Sequence, residues 1–330
     1  MRQLVGRERR DRLSQLTWRG EECFDSRRVN SRRSAVDLVV SKHEIPMTIF
    51  LGLILTVSAC GFQWGHTRTG ENKSPDLDEM IDVGGYRLHI NCAGNSDKGS
   101  PTVVMDAGGY GSSATWNKVQ PEIVKFTRVC VYDRAGLGKS ERQPNPSYPS
   151  QEVVKDLHTL LVNAHVVPPL VLVGHSFGGM NVRLYASQFP HEVVGMVLVD
   201  SVHEDEMDRW VAMMPPEIKQ QLTGADRAQL ARLAVSEGQV RAAHWHSDIP
   251  LVVLTHGVVS PGDYGIPSMA AKGEALRLEM QEALARLSSR TKHIIAEKSG
   301  HYIQRDQPQL VIDSVRQVVE ATRTSDRRRF

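Results

Sequence analysis

The chain has 330 residues, of which 40% are hydrophobic, an ordinary globular composition that can fill the core of one large α/β domain with insertions. Residues 1–46 hold 11 Lys and Arg against 7 Asp and Glu, leaving 29 against 31 in the rest, so the body of the chain gives no electrostatic case for binding nucleic acid. Cys23, Cys60, Cys92 and Cys130 show no CxxC or zinc-ligand spacing, which argues against a structural metal.

Residues 1–46 read as a basic N-terminal tail, or as sequence upstream of the true start of translation, which would then be Met47. Residues 47–60 contain an apolar run of about a dozen residues, the length of a signal-peptide core and short for a membrane span. The run ends in Val57-Ser58-Ala59-Cys60, which resembles a bacterial lipobox and implies cleavage before a lipid-modified Cys60. An uncleaved anchor and a buried hydrophobic element are the other readings of this segment. With a lipid on Cys60 the protein would be exported and tethered to a membrane through its N-terminal segment.

Residues 61–80 are polar and carry Gly, Asn, Ser and Pro, as a tether does, so the folded domain is expected over 81–330. Alternation over 86–92 predicts a half-buried strand, and the apolar runs at 101–105, 127–132, 170–173, 194–200, 250–255 and 293–296 predict buried strands. Between them lie helical patterns, the clearest with Val153, Val154, Leu157, Leu160 and Leu161 on one face. Asp306 and Gln309 have capping-box spacing ahead of a last helix facing the core with Val311, Val315, Val318 and Val319. This alternation predicts an α/β fold with a mostly parallel central sheet and helices on both faces. About 45 residues of helical, Met- and Trp-containing sequence at 203–248 interrupt the rhythm and predict a helical cap over the sheet edge.

The chemistry gathers at Gly174-His175-Ser176-Phe177-Gly178, a G-x-S-x-G turn between a predicted strand and a predicted helix. The glycines leave room for a tight turn that lifts the Ser176 hydroxyl clear of both elements, making it a nucleophile candidate. A nucleophilic serine needs a base, an acid to orient that base, and two N–H donors for the oxyanion. His301, in the Ser299-Gly300-His301 loop after the last strand, is the candidate base. The backbone N–H groups of Phe177 and of Gly109, in the glycine-rich turn after the 101–105 strand, are the candidate oxyanion donors.

Taken together, Asp106-Ala-Gly-Gly-Tyr-Gly-Ser-Ser-Ala-Thr-Trp116, Tyr132-Asp-Arg-Ala-Gly-Leu-Gly-Lys-Ser140, the serine turn and Ser299-Gly-His301 resemble the α/β-hydrolase family in content and order. The resemblance implies hydrolysis of a carboxylic ester or similar acyl bond of a small molecule through an acyl-Ser176 intermediate, with no metal or cofactor. A catalytically silent binding protein of the same fold is the alternative. The acid must follow Ser176 and precede His301. Asp200, ending the 194–200 strand, and Asp263, beyond the 250–255 strand, both qualify, with Asp200 favoured. Family strand order also sets the 86–92 strand beside the 127–132 strand, which would let Cys92 and Cys130 pair in an exported chain.

Three further patterns suggest other chemistries. Gly109-Tyr-Gly111-Ser-Ser-Ala114 has dinucleotide-binding spacing, but an exported chain would rarely meet such a cofactor. Gly138-Lys139-Ser140 lacks the first glycine of a P-loop, because Asp133 stands there. His244-Trp-His246-Ser-Asp248 lacks the last histidine of a metallo-hydrolase motif.

Overall fold

A computed structural model describes residues 76–95, 99–144, 148–243, 245–259 and 269–323. The basic tail, Cys60 with its apolar segment, most of the tether, His244 and Asp263 lie outside the described residues.

Among the described residues eight strands form one sheet: β1 (Leu77–Asp82), β2 (Arg87–Ala93), β3 (Thr102–Asp106), β4 (Val129–Tyr132), β5 (Leu170–His175), β6 (Val193–Val199), β7 (Leu251–His256) and β8 (Thr291–Ala296). Their order is β1-β2-β4-β3-β5-β6-β7-β8. β2 runs antiparallel to β1 and β4, and every other neighbouring pair is parallel.

Strand periodicity divides the core into two. Val104, Cys130, Leu172, Leu198 and Val253 point to one face, where they meet α2 (Ser150–Asn163) and α3 (Phe177–Gln188). Val103, Met105, Val129, Val171, Val197 and Val252 point to the other, against α1 (Gln120–Ile123) and the last helix of the chain. Because both faces are covered, the inner strands are apolar at nearly every position. Each fully buried Val or Leu contributes about 1.5–3 kcal/mol.

The sheet starts earlier than residue 81. β1 begins at Leu77, inside the stretch read as tether. Its Asp78 and Glu79 are exposed, as an edge strand allows, and that polar surface hid the strand from a hydrophobicity pattern. Cys92 and Cys130 stand opposite each other on β2 and β4, their Cα atoms 4.0 Å apart, and form a disulfide.

Among the described residues three helices lie between β6 and β7: α4 (Glu206–Met213), α5 (Pro216–Gln221) and α6 (Gly224–Ala243). The expected cap is not a single unit. Trp210, Met214, Ile218 and Leu222 pack with Met269 in a separate small cluster, whereas Val240 of α6 belongs to the main core and α6 packs against α2 and α3. α7 (Ala270–Ala285) precedes β8, and α8 (Ile303–Asp306) and α9 (Pro308–Arg323) close the fold. The capping-box reading of Asp306 fails because α9 starts only at Pro308. Asp306 Oδ2 instead accepts hydrogen bonds from Ser299 Oγ and Gly300 N, both at 3.2 Å, and so braces the loop that carries His301.

Candidate active site

Ser176 occupies the one-residue junction between β5 and α3, with φ +52° and ψ −121°. A non-glycine residue in the left-handed region costs on the order of 1–3 kcal/mol, which the packed strand and helix on either side must offset. The flanking glycines are dictated by close approach. A Cβ on Gly174 would lie 2.6 Å from Gly178 O, and one on Gly178 would lie 2.5 Å from the carbonyl oxygens of Asp106 and Ala107. The serine turn is therefore pressed directly against the backbone of the turn after β3.

Asp200 directly follows β6 and also has a left-handed backbone, with φ +44°. Its buried carboxylate is saturated with donors. Oδ2 accepts from His301 Nδ1 at 2.6 Å and from His256 Nδ1 at 2.7 Å, while Oδ1 accepts from Arg277 Nη1 at 2.8 Å and His256 N at 3.0 Å. Burial alone would push this carboxyl up, but the hydrogen bonds from His256 and His301 and the charge of Arg277 hold it well below the usual carboxylate range. It is thus an anion at neutral pH. Since a carboxylate only accepts, His301 carries its proton on Nδ1, and Nε2 is the nitrogen suited to act as a base.

His175 links the serine turn to the His301 loop. Its Nε2 donates to the His301 carbonyl oxygen at 3.0 Å, and the two rings lie 4.7 Å apart. Burial, with the neighbouring His301 adding to it, pushes the His175 imidazole down to about 3, so it stays neutral and keeps its donor role throughout the neutral range.

The turn after β3 completes the arrangement. A Cβ on Gly108 would lie 3.4 Å from Ser176 Cβ, and one on Gly109 would lie 3.9 Å from Phe177 Cβ. Phe177 is the first residue of α3, so its N–H belongs to the set that a helix leaves without an internal acceptor. Sequence reasoning thus named residues that the fold brings to one edge of the sheet: Gly109, Ser176, Phe177, Asp200 and His301. It missed His256, Arg277 and His175. His256 lies one residue beyond the predicted 250–255 strand and is the last residue of β7, whereas Arg277 lies in a helix whose face no local pattern aims at Asp200.

Asp200, His256 and His301 offer a carboxylate oxygen and two ring nitrogens within 4.8 Å of one another, a donor set that could take a metal ion. Two features oppose that use. The oxygen-to-nitrogen contacts have hydrogen-bond lengths, and the Arg277 guanidinium already supplies positive charge to the same carboxylate. The dinucleotide-like glycines form the turn beside Ser176 and lead into a short 3-10 helix at Ser113–Trp116, while Asp133 caps turns by accepting from Ser113 N at 2.7 Å and Lys139 N at 2.9 Å. His246 and Asp248, from the metal-like tract, are exposed.

The chain belongs to the α/β-hydrolase family. A family model described as alpha/beta hydrolase fold matches residues 101–237. The uncharacterized protein YqjL of Bacillus subtilis is 32% identical over 247 residues, which cover 72% of this chain and 90% of that protein. The 2-hydroxy-6-oxo-2,4-heptadienoate hydrolase of Pseudomonas putida is 31% identical over 133 residues, 40% of this chain and 47% of that enzyme. Among solved structures, a candidate lipase from Acinetobacter baumannii has the same fold, with a TM-score of 0.58 at 20% identity over 76% of this chain and 93% of the other.

Proposed function

We propose that this hydrolase cleaves a carboxylic ester or a similar acyl bond of a small molecule through an acyl-Ser176 intermediate. The observation that carries the reading is the 2.6 Å hydrogen bond between Asp200 and His301 Nδ1, at the same sheet edge as a serine held in a strained strand-to-helix turn. In this mechanism Ser176 Oγ attacks the acyl carbon while His301 Nε2 takes its proton, and Asp200 stabilises the imidazolium. The N–H groups of Gly109 and Phe177 receive the developing oxyanion. His301 then protonates the leaving group, and a water activated by the same imidazole releases the acid and restores the serine. The members of the α4 and α5 cluster, Trp210 and Met214 among them, are proposed to shape substrate selection.

A panel of p-nitrophenyl esters of increasing chain length tests this directly. Wild-type turnover is expected to exceed that of Ser176→Ala by about 10³-fold or more. Turnover equal to the variant's across the panel would favour a binding protein of the same fold.

We further propose that the protein is exported and held at a membrane through a lipid on Cys60. The Cys92–Cys130 disulfide supports export, because such bonds persist in oxidising compartments. Cys60→Ser is expected to release the enzyme from the membrane fraction; unchanged association, or two free thiols at Cys92 and Cys130 in protein isolated from the cell envelope, would contradict the proposal.

A further inference from the structure

Arg134 follows β4 by two residues and is only 3% exposed. Its guanidinium grips the turn after β3 along its length. Nη1 donates to Asp106 Oδ1 and, at 2.6 Å, to the Ala107 carbonyl, while Nη2 donates to the Gly108 carbonyl and, at 3.0 Å, to the Gly109 carbonyl. Three successive peptide carbonyls therefore face one buried cation.

This has a geometric consequence. In a planar trans peptide the C=O of one residue and the N–H of the next point in opposite directions. With the Gly108 carbonyl turned to Arg134, the Gly109 N–H points away from it. Gly108 and Gly109 have little conformational preference of their own, so the peptide joining them could rotate and present its carbonyl where the N–H now points. Gly111 N, which donates to the Gly108 carbonyl at 3.0 Å, opposes that rotation in part, and the guanidinium adds to it by holding the carbonyls on either side as well. The same group reaches the second donor residue, for Arg134 Cζ lies 5.7 Å from the centroid of the Phe177 ring. Asp106 extends the link into α3, its Oδ2 accepting from Asn181 Nδ2 at 2.9 Å.

We propose that Arg134 is a positioning residue for the oxyanion site: it fixes the peptide orientation that aims the Gly109 N–H at the reacting carbonyl, an inference that rests on the acyl-Ser176 reading. Arg134→Lys keeps a charge beside Asp106 but has no planar fork to span several carbonyls. The double variant Asp106→Asn/Arg134→Met removes both charges and provides a second test should the lysine variant fail to fold.

Each folded variant, verified by circular dichroism, is assayed on an oxygen ester and on the matching thionoester, whose sulfur gains little from N–H donors. The expected result is a loss of about 10²- to 10³-fold in kcat on the oxygen ester, with KM within about threefold and the oxygen-over-sulfur preference much reduced. A folded variant that keeps the wild-type preference would overturn the proposal and leave Arg134 a purely structural ion-pair partner. Wild-type enzyme that a fluorophosphonate does not label at Ser176 would instead remove the underlying reading, and the proposal with it.

Discussion

Replacing Asp200 with asparagine exchanges one carboxylate oxygen for an NH2 group, and its surroundings give that group no tolerable place. On the Oδ2 side it would meet the Nδ1 protons of His256 and His301; on the Oδ1 side it would meet Arg277 Nη1 and the His256 backbone N–H. Either orientation opposes donors to donors. The nearest relief is for His301 to move its proton to Nε2, so that Nδ1 can accept from the amide. That tautomer cannot take a proton from Ser176. We therefore expect Asp200→Asn to lose about 10³- to 10⁴-fold in kcat, equivalent to about 4–5.5 kcal/mol of transition-state stabilisation. The assay is kcat on a p-nitrophenyl ester at pH 7, with circular dichroism to verify folding and Asp263→Asn as a control expected to stay within about tenfold. A folded Asp200→Asn enzyme retaining more than about a tenth of wild-type kcat would refute the assignment of Asp200 as the acid.

Gly178→Ala is expected to lower kcat by about 10²-fold, because its Cβ would lie 2.5 Å from two backbone oxygens and push the turn after β3 out of line with Ser176; a variant with wild-type kcat would show that this turn tolerates movement. Glu237 gives a pH prediction. Its buried carboxyl, whose Oε1 accepts from Met207 N at 3.0 Å, is pushed up from 4.5 to about 7, first by burial and further by Asp208 and Glu206. The folded protein then binds more protons here than the unfolded chain between about pH 4.5 and 7, so stability falls as pH rises through that window. Glu237→Gln should stabilise the protein at pH 8 and change little at pH 4, as measured by thermal unfolding; an equal change at both pH values would contradict the assignment.

The parts of this fold that were legible in the sequence are those set by local rules. Apolar runs marked the inner strands because a sheet covered on both faces leaves them no polar side, and the serine turn declared itself through glycines that close approach requires. β1 was not legible, since an edge strand with Asp78 and Glu79 in solvent looks like a polar linker. The place of Asp200 at a strand end favoured it over Asp263, but no local pattern could supply the deciding contact. The choice depends on which carboxylate meets His301, a contact between residues 101 positions apart. The support from His256 and Arg277 has the same origin, for it joins the ends of two strands to a helix and leaves no trace in any single element. Arg134 stood within a recognised motif, yet its hold on three carbonyls depends on the β3–β4 pairing that sets the two turns side by side.

The acyl-Ser176 mechanism is tested most directly by treating the wild-type protein and Ser176→Ala with a fluorophosphonate and mapping the adduct by peptide mass spectrometry. A single phosphonyl group on the peptide containing Ser176, absent from the variant, is the predicted result. An adduct on another residue, or labelling that persists in Ser176→Ala, would contradict it.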